Sequence, residues 1–429
     1  MEAIKAIKYI YLCLTVLAVL VAASTTLSLW DLLPGICLMW TLYLSFAFGN
    51  QIAKRTNSLA GNLLYIAQIE GTSSKSFIFK HKFIFGCLAL CFSYAITYFY
   101  TGQTILSTIQ NTLKGVNLYS LYQTHYREHN IVVFSINKLP FIFMNFGLDF
   151  LLIYSYIGIL NKKISKPTIQ EIIYLTTLAF SFLIFGFARG TNFEVFEFTL
   201  LILFLMLLKK KNGSTMKKIP IKTIILIALT CVLAVAAFYV VISIRMPAKP
   251  YYTVSQEMCY DPNDILSRLL PDLAYMITRL SQYFTFGIFY TSTFISKVWI
   301  SSPIVFMGGA FPFGLNLAGI TPVTSTINQI IDQSSNWIPD VIGFWSSLGL
   351  MGELVLVFFL GNMSKKLENK SDIVSMMGVY LITLQMFSFP IGNFLIVSSA
   401  NKLITVTVIG ILVLRKLSIL KDGLLCRKK

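Results

Sequence analysis

The stretch IQEIIYLTTLAFSFLIFGFARGTNFEVFEFTLLILFLMLLKKK, Ile169 to Lys211, decides the fold. Its two apolar runs, Ile169 to Ala188 and Phe193 to Leu208, approach the ~20 residues a helix needs to cross a bilayer core. Only Arg189-Gly190-Thr191-Asn192 separates them, and the second run stops on Lys209-Lys210-Lys211. Positive residues gather on the cytoplasmic side of membrane proteins, so this is a hairpin with its tip outside and its ends inside. In lipid the backbone must satisfy its own hydrogen bonds, so both runs are helices.

The pattern repeats in both directions. Of 429 residues, 56% are hydrophobic and only 12% charged, which predicts an all-α polytopic membrane protein without a soluble domain. Before the hairpin, spans are expected at Tyr9–Leu29, Leu32–Gly49, Phe83–Tyr100 and Phe141–Leu160; after it, at Ile221–Ile244, Val341–Leu360, Ile373–Phe389 and Ile391–Leu414. Val21-Ala22-Ala23 has the small-residue look of a signal-peptidase site, but the apolar run continues past it, so the first span reads as an uncleaved anchor. Gln51 to Lys82 is too polar to span and reads as a cytoplasmic surface helix. That makes ten spans with both termini inside: seven within residues 1–244, an external loop over 245–338, and three spans with a basic tail over 339–429.

The net charge of +17 follows from this topology and does not imply a nucleic-acid partner. The proposed inner segments hold 25 of the 35 lysines and arginines, the outer ones 8. Tyr283 to Ile300 is apolar enough to cross, but one extra crossing would put the basic tail outside. Tyr283–Ile300 and Pro303–Ile320 are therefore expected to re-enter the membrane edge as a pair. The seven cysteines have no metal-ligand spacing, and only Cys259 lies in the long loop, so no disulfide framework, zinc site or cofactor is expected.

The loop, Arg245 to Ile338, holds seven of the thirteen prolines and balances five basic with five acidic residues. Anion binding on the outer face must therefore be local. Guanidinium offers a planar fork of donors suited to phosphate, which singles out Arg189, Arg245, Arg268 and Arg279. Arg268 and Arg279, eleven apart, would share a face on an unbroken helix, although Pro271 lies between them; Asp261 and Asp264 are caps upstream. Arg189 stands beside Gly190, which lets backbone approach a ligand, with Glu194 and Glu197 about a turn on; its plainer reading is an interface arginine paired with Glu194. Asp149, Glu353 and Lys402 lie within spans, where ionisable groups are costly and mark functional sites by default, and Lys402 could neutralise Asp149.

The motif Gly186-Phe187-Ala188-Arg189-Gly190-Thr191, the span ending in a lysine run, Arg245 at the mouth of a long external loop, and the glycine-rich Ile342-Gly343-Phe344-Trp345-Ser346-Ser347-Leu348-Gly349-Leu350-Met351-Gly352-Glu353 together resemble the oligosaccharide repeat-unit polymerases (Wzy-type). The resemblance implies a GT-C-like membrane fold in a bacterial cytoplasmic membrane. It also implies transfer of a growing O-antigen, capsule or exopolysaccharide chain from undecaprenyl pyrophosphate to the next lipid-linked unit, outside and without a metal. Arg189 and Arg245 would hold the pyrophosphate, with Arg268, Arg279, Glu194 and Asp332 as further substrate contacts. Glu194, Glu257 or Asp332 could take the acceptor proton. A flippase and a chain-length regulator are the implied partners. Some members carry a glycine eleven residues after a loop arginine, and none of these arginines has one. O-antigen ligases share the architecture but carry a loop histidine, absent here; a flippase or other transporter is the competing class.

Overall fold

The computed structural model describes residues 3–60, 77–131, 135–160, 167–191, 193–209, 258–301, 339–370, 372–392, 395 and 398–426. Every element named among them is helical: α1 (Ala3–Ala22), α2 (Leu29–Ala60), α3 (Phe77–Lys80), α4 (Lys82–Thr101), α5 (Ile105–Leu113), α6 (Leu118–Glu128), α7 (Leu139–Leu160), α8 (Ile169–Arg189), α9 (Phe193–Lys209), α10 (Ile265–Leu269), α11 (Pro271–Phe284), α12 (Phe286–Ser301), α13 (Asp340–Glu368), α14 (Ile373–Ile391) and α15 (Ser399–Cys426), with a 3-10 turn at Ile136–Lys138. Seven of the described helices are long and apolar enough to cross a bilayer. Their outward faces carry side chains that water would not tolerate together: Leu44, Phe48, Phe83, Ile84, Ile173 and Phe359 are all exposed. The chain is an all-α polytopic membrane protein.

α14 is its axis. The helix is apolar all round, and every residue from Val374 to Ile391 is buried, as a helix without a polar face requires. Around it pack α1, α7, α12, α13 and α15. The closest contact elsewhere joins α2 to α13 through reciprocal glycines. A Cβ on Gly49 would come within 2.0 Å of the Phe358 carbonyl oxygen, and one on Gly361 within 2.1 Å of that of Phe46. Membrane helices gain no hydrophobic drive from lipid, so such small residues, which let backbones touch, carry the association. Ser45 Oγ adds a bond to the Leu354 carbonyl at 2.7 Å. Pro34 interrupts the ladder of α2, and one residue on, the Gly35 amide donates to Ser292 Oγ of α12 at 2.8 Å.

Ion pairs and caps fix the helix ends. The Ala3 amide donates to Glu368 at 2.5 Å, Glu368 pairs with Lys365, and Asp372 at the start of α14 pairs with Arg415 of α15 at 2.7 Å. The start of α1, the end of α13 and the start of α14 thus lie at one end of the bundle. Lys82 and Glu171 likewise join the starts of α4 and α8 at 3.5 Å. Thr168 and Glu171 form a complete capping box on α8.

Several expected boundaries move. α1 stops at Ala22, seven residues before Leu29, because residues 23–26 turn to bond another segment: Thr26 N donates to Cys259 O at 2.9 Å and Asp261 N to Ser24 O at 3.1 Å. The last helix starts at Ser399 rather than Ile391, since Gly392 takes a φ of 88° and ends α14. Residues 51–60 continue α2 rather than starting a surface helix. α9 is a 17-residue apolar helix and α15 a 28-residue one; Ile221–Ile244 lies outside the described residues, as does Pro303–Ile320. Phe286–Ser301, half of the expected re-entrant pair, is a helix packed on α2 and α14.

Candidate functional site

Arg189 closes α8, and Gly190 follows in the left-handed conformation at φ 61°, its amide capping onto Gly186 and Phe187. α9 begins four residues later and turns Glu194 back beneath the arginine. This packing needs Gly186, because a Cβ there would meet Glu194 Oε2 at 2.6 Å. Glu194 is buried and accepts a bond from Arg189 Nη2, and Thr191 Oγ1 holds its other oxygen at 3.2 Å. The guanidinium lies 4.3 Å from the centre of the Phe185 ring. Its Nε has no partner among the described residues.

α6 covers this end. Gly190 approaches the Tyr119 backbone so closely that a Cβ would meet its nitrogen at 2.5 Å. Tyr122 accepts a hydrogen bond from Arg189; burial raises the Tyr122 phenol pKa, and the guanidinium opposes that shift. Tyr119, Tyr122 and Tyr126 follow one face of α6, with neighbouring ring centres 6.3 and 5.3 Å apart. Tyr100, from the end of α4, is also within electrostatic reach of Arg189.

Below Arg189 a column of polar groups runs into the bundle. Asp149 of α7 is buried, interacts electrostatically with both Arg189 and Glu197, and its Oδ1 has no partner among the described residues. Glu197, about one turn below Glu194 on α9, is buried and bonded to Asn401 of α15; its backbone carbonyl accepts from Tyr380 of α14 at 3.3 Å. One arginine therefore faces two buried carboxylates, Glu194 and Asp149, and a third, Glu197, adjoins Asp149. That excess of acceptors over cations can hold a cationic arginine rigidly and still take a proton from a hydroxyl.

The structure brings together Arg189 and Glu194, which sequence spacing suggested, and adds Tyr122 and Asn401, which it did not. Lys402, expected to lie buried in the last span, where it could neutralise Asp149 or line a water-filled cavity, is exposed. Neighbouring helix residues point about 100° apart, and it is Asn401 that turns inward. Arg268 and Arg279 do not share a helix: α10 ends at Leu269 and α11 restarts at Pro271. Arg268 is exposed; Arg279 is buried with its Nη2 on the Tyr275 hydroxyl at 2.6 Å and its guanidinium over that ring. Asp264 does cap α10, accepting from Ile265 N at 2.8 Å. The described start of the long loop is anchored on the α1–α2 turn, and Phe284 of α11 reaches Phe196 of α9 at 4.7 Å between ring centres. Arg245, Glu257 and Asp332 lie outside the described residues. No family model matches the chain, and no curated protein or solved structure does so.

Proposed function

We propose that this protein polymerises lipid-linked oligosaccharide repeat units at the outer face of a bacterial cytoplasmic membrane. On this reading the Arg189 end of the bundle is external and both termini are cytoplasmic. A growing glycan passes from its polyprenyl pyrophosphate, undecaprenyl in most bacteria that use one, to an acceptor sugar hydroxyl. The bond between the reducing-end sugar and pyrophosphate breaks, a glycosidic bond forms, and the acceptor proton goes to a carboxylate.

The observation that carries the reading is Arg189, fixed by Glu194 and Phe185 beneath three tyrosines of α6. A preorganised guanidinium stabilises the charge that develops on a departing pyrophosphate, and no reorganisation is needed at that moment. Aromatic faces beside it suit the apolar faces of sugar rings. Glu194, Asp149 and Glu197 supply the acceptors for the hydroxyl proton, and Arg245, Arg268, Arg279 and Asp332 remain proposed substrate contacts from the loop. A flippase that delivers the lipid-linked unit and a regulator of chain length are the partners such an enzyme needs.

The test is product length in cells carrying Arg189→Ala or Arg189→Lys with membrane insertion verified. Removing one such group costs on the order of 100-fold in turnover, so both variants should leave single repeat units, lysine lacking the planar fork. Polymer of normal length from both would overturn the assignment. A second reading, a transporter of the same lipid-linked unit, is favoured by the broken helix α13 with Glu353 buried beside the break. Accumulation of units on the cytoplasmic leaflet in a deletion strain would support it instead.

A further inference from the structure

The bundle holds a second set of buried polar atoms, away from Arg189. α13 is interrupted at Gly349, with φ 69° and ψ 169°. An interrupted helix leaves carbonyls of the preceding turn without amide partners. One turn past the break, Glu353 is fully buried, and neither of its carboxylate oxygens has a hydrogen-bond partner among the described residues. In a straight helix Asp340 would sit about 20 Å from Glu353 along the axis. The break instead brings Asp340, also buried, within electrostatic reach.

Two further helices complete the surroundings. From α14, Gln385 Nε2 donates to Asp340 Oδ2 at 3.1 Å, which fixes the amide and leaves Gln385 Oε1 buried without a partner among the described residues. From α1, Tyr11 faces Glu353 electrostatically, and its hydroxyl is committed to the Met386 carbonyl at 2.7 Å. α2 meets α13 at the next residue, where Ser45 bonds the Leu354 carbonyl. The unpartnered atoms here are thus all acceptors: both oxygens of Glu353 and one of Gln385. A proton on Glu353 would turn one of its oxygens into a donor and still leave one of the two remaining acceptors unmet, whereas a cation among them meets all three. Among the described residues no three His, Cys, Asp or Glu side chains converge as a metal set, so a transition-metal or other multi-carboxylate site does not fit. Lys365 lies twelve residues on, about 18 Å along the axis, so Glu353 is well below that end of the bundle.

We infer that Glu353, Asp340 and Gln385 form a binding site for an alkali-metal cation, with backbone carbonyls freed at Gly349 filling out the oxygen shell. The geometry is that of a broken membrane helix whose unwound carbonyls and buried carboxylate replace the ion's hydration shell. The inference is independent of the polymerase reading.

The test is thermal unfolding of the full-length protein in non-ionic detergent at fixed pH and ionic strength, with lithium, sodium or potassium chloride replacing choline chloride. The wild type should gain a saturable rise in Tm with at least one alkali ion. Glu353→Gln should abolish the rise, and Gln385→Ala should weaken the apparent Kd by about tenfold or more. If Glu353→Gln does not fold, Gln385→Ala and Asp340→Asn carry the same measurement. Wild-type stability that is equal in all four chlorides overturns the site, including the case where it changes with pH alone. So does an alkali response that persists unchanged in the variants.

Discussion

Gly361→Ala puts a methyl group where α2 touches α13. The added carbon would lie 2.1 Å from the Phe46 carbonyl oxygen, 2.9 Å from its carbonyl carbon and 3.1 Å from its Cα. A C–H carbon and a carbonyl oxygen settle at about 3.3 Å or beyond, so the shortfall is roughly 1.2 Å. Backbone cannot swing aside as a side chain does, so the two helices must part. Parting them stretches the Ser45–Leu354 bond from 2.7 Å towards the limit of hydrogen bonding, an interaction worth about 0.6 kcal/mol in a membrane protein. Overpacking itself costs about 1–3 kcal/mol, so a loss of about 2–4 kcal/mol is expected, measured by unfolding in mixed micelles of rising SDS fraction. Gly410→Ala is the control: a Cβ there meets nothing within 4 Å, and alanine is the better helix former. Its stability should be equal or higher. If Gly361→Ala unfolds with the wild type, or both variants fall equally, the backbone contact is not what holds α2 to α13.

Gly190→Ala should be more damaging than its size suggests, since φ is 61° and the Tyr119 backbone is in the way; the left-handed conformation alone costs about 1–2 kcal/mol, and faster proteolysis within residues 102–131 would report α6 lifting. Thr168→Ala removes the capping box of α8 and should lower stability by about 1 kcal/mol in the same SDS assay. Asp372 gives a pH signature at the end of the bundle away from Arg189: burial pushes its carboxyl up, but bonds from Ser375 and Arg415 outweigh this and hold it below the usual carboxylate range. A depressed folded-state pKa stabilises above the unfolded value, near 3.9, and the contribution disappears as pH falls through the folded value. Asp372→Asn should therefore flatten the acid limb of stability below about pH 4 and leave the neutral limb's slope unchanged.

Helices whose ends are set by their own chemistry were legible from the residues alone. α4, α7 and α8 begin or end within about two residues of the apolar runs, because Lys82, Pro140, Thr168 and Arg189 punctuate them locally. α1 and α15 were misjudged where tertiary structure decides: the turn after Ala22 bonds a segment more than 230 residues away, and Gly392 breaks a run whose hydropathy continues. The Arg189–Glu194 pair was readable because four residues separate two helices and leave little choice of partner. Tyr122 and Asn401 were not, since nothing local distinguishes a tyrosine under an outer helix or an asparagine beside a more conspicuous lysine. Lys402 drew attention by its charge, but the helix register, which only packing fixes, turned it outward.

The interruption at Gly349 also divides α13 mechanically. The half after it is welded to α2 by Gly49 and Gly361; the half before it carries Phe344 against Phe389 of α14 and Trp345 against Phe294 of α12, with ring centres 5.5 and 5.4 Å apart. The two halves thus pack on different neighbours, and the residue that joins them holds a conformation only glycine adopts readily. A side chain at Gly349 would have to leave that conformation and pull one half of α13 off its neighbours.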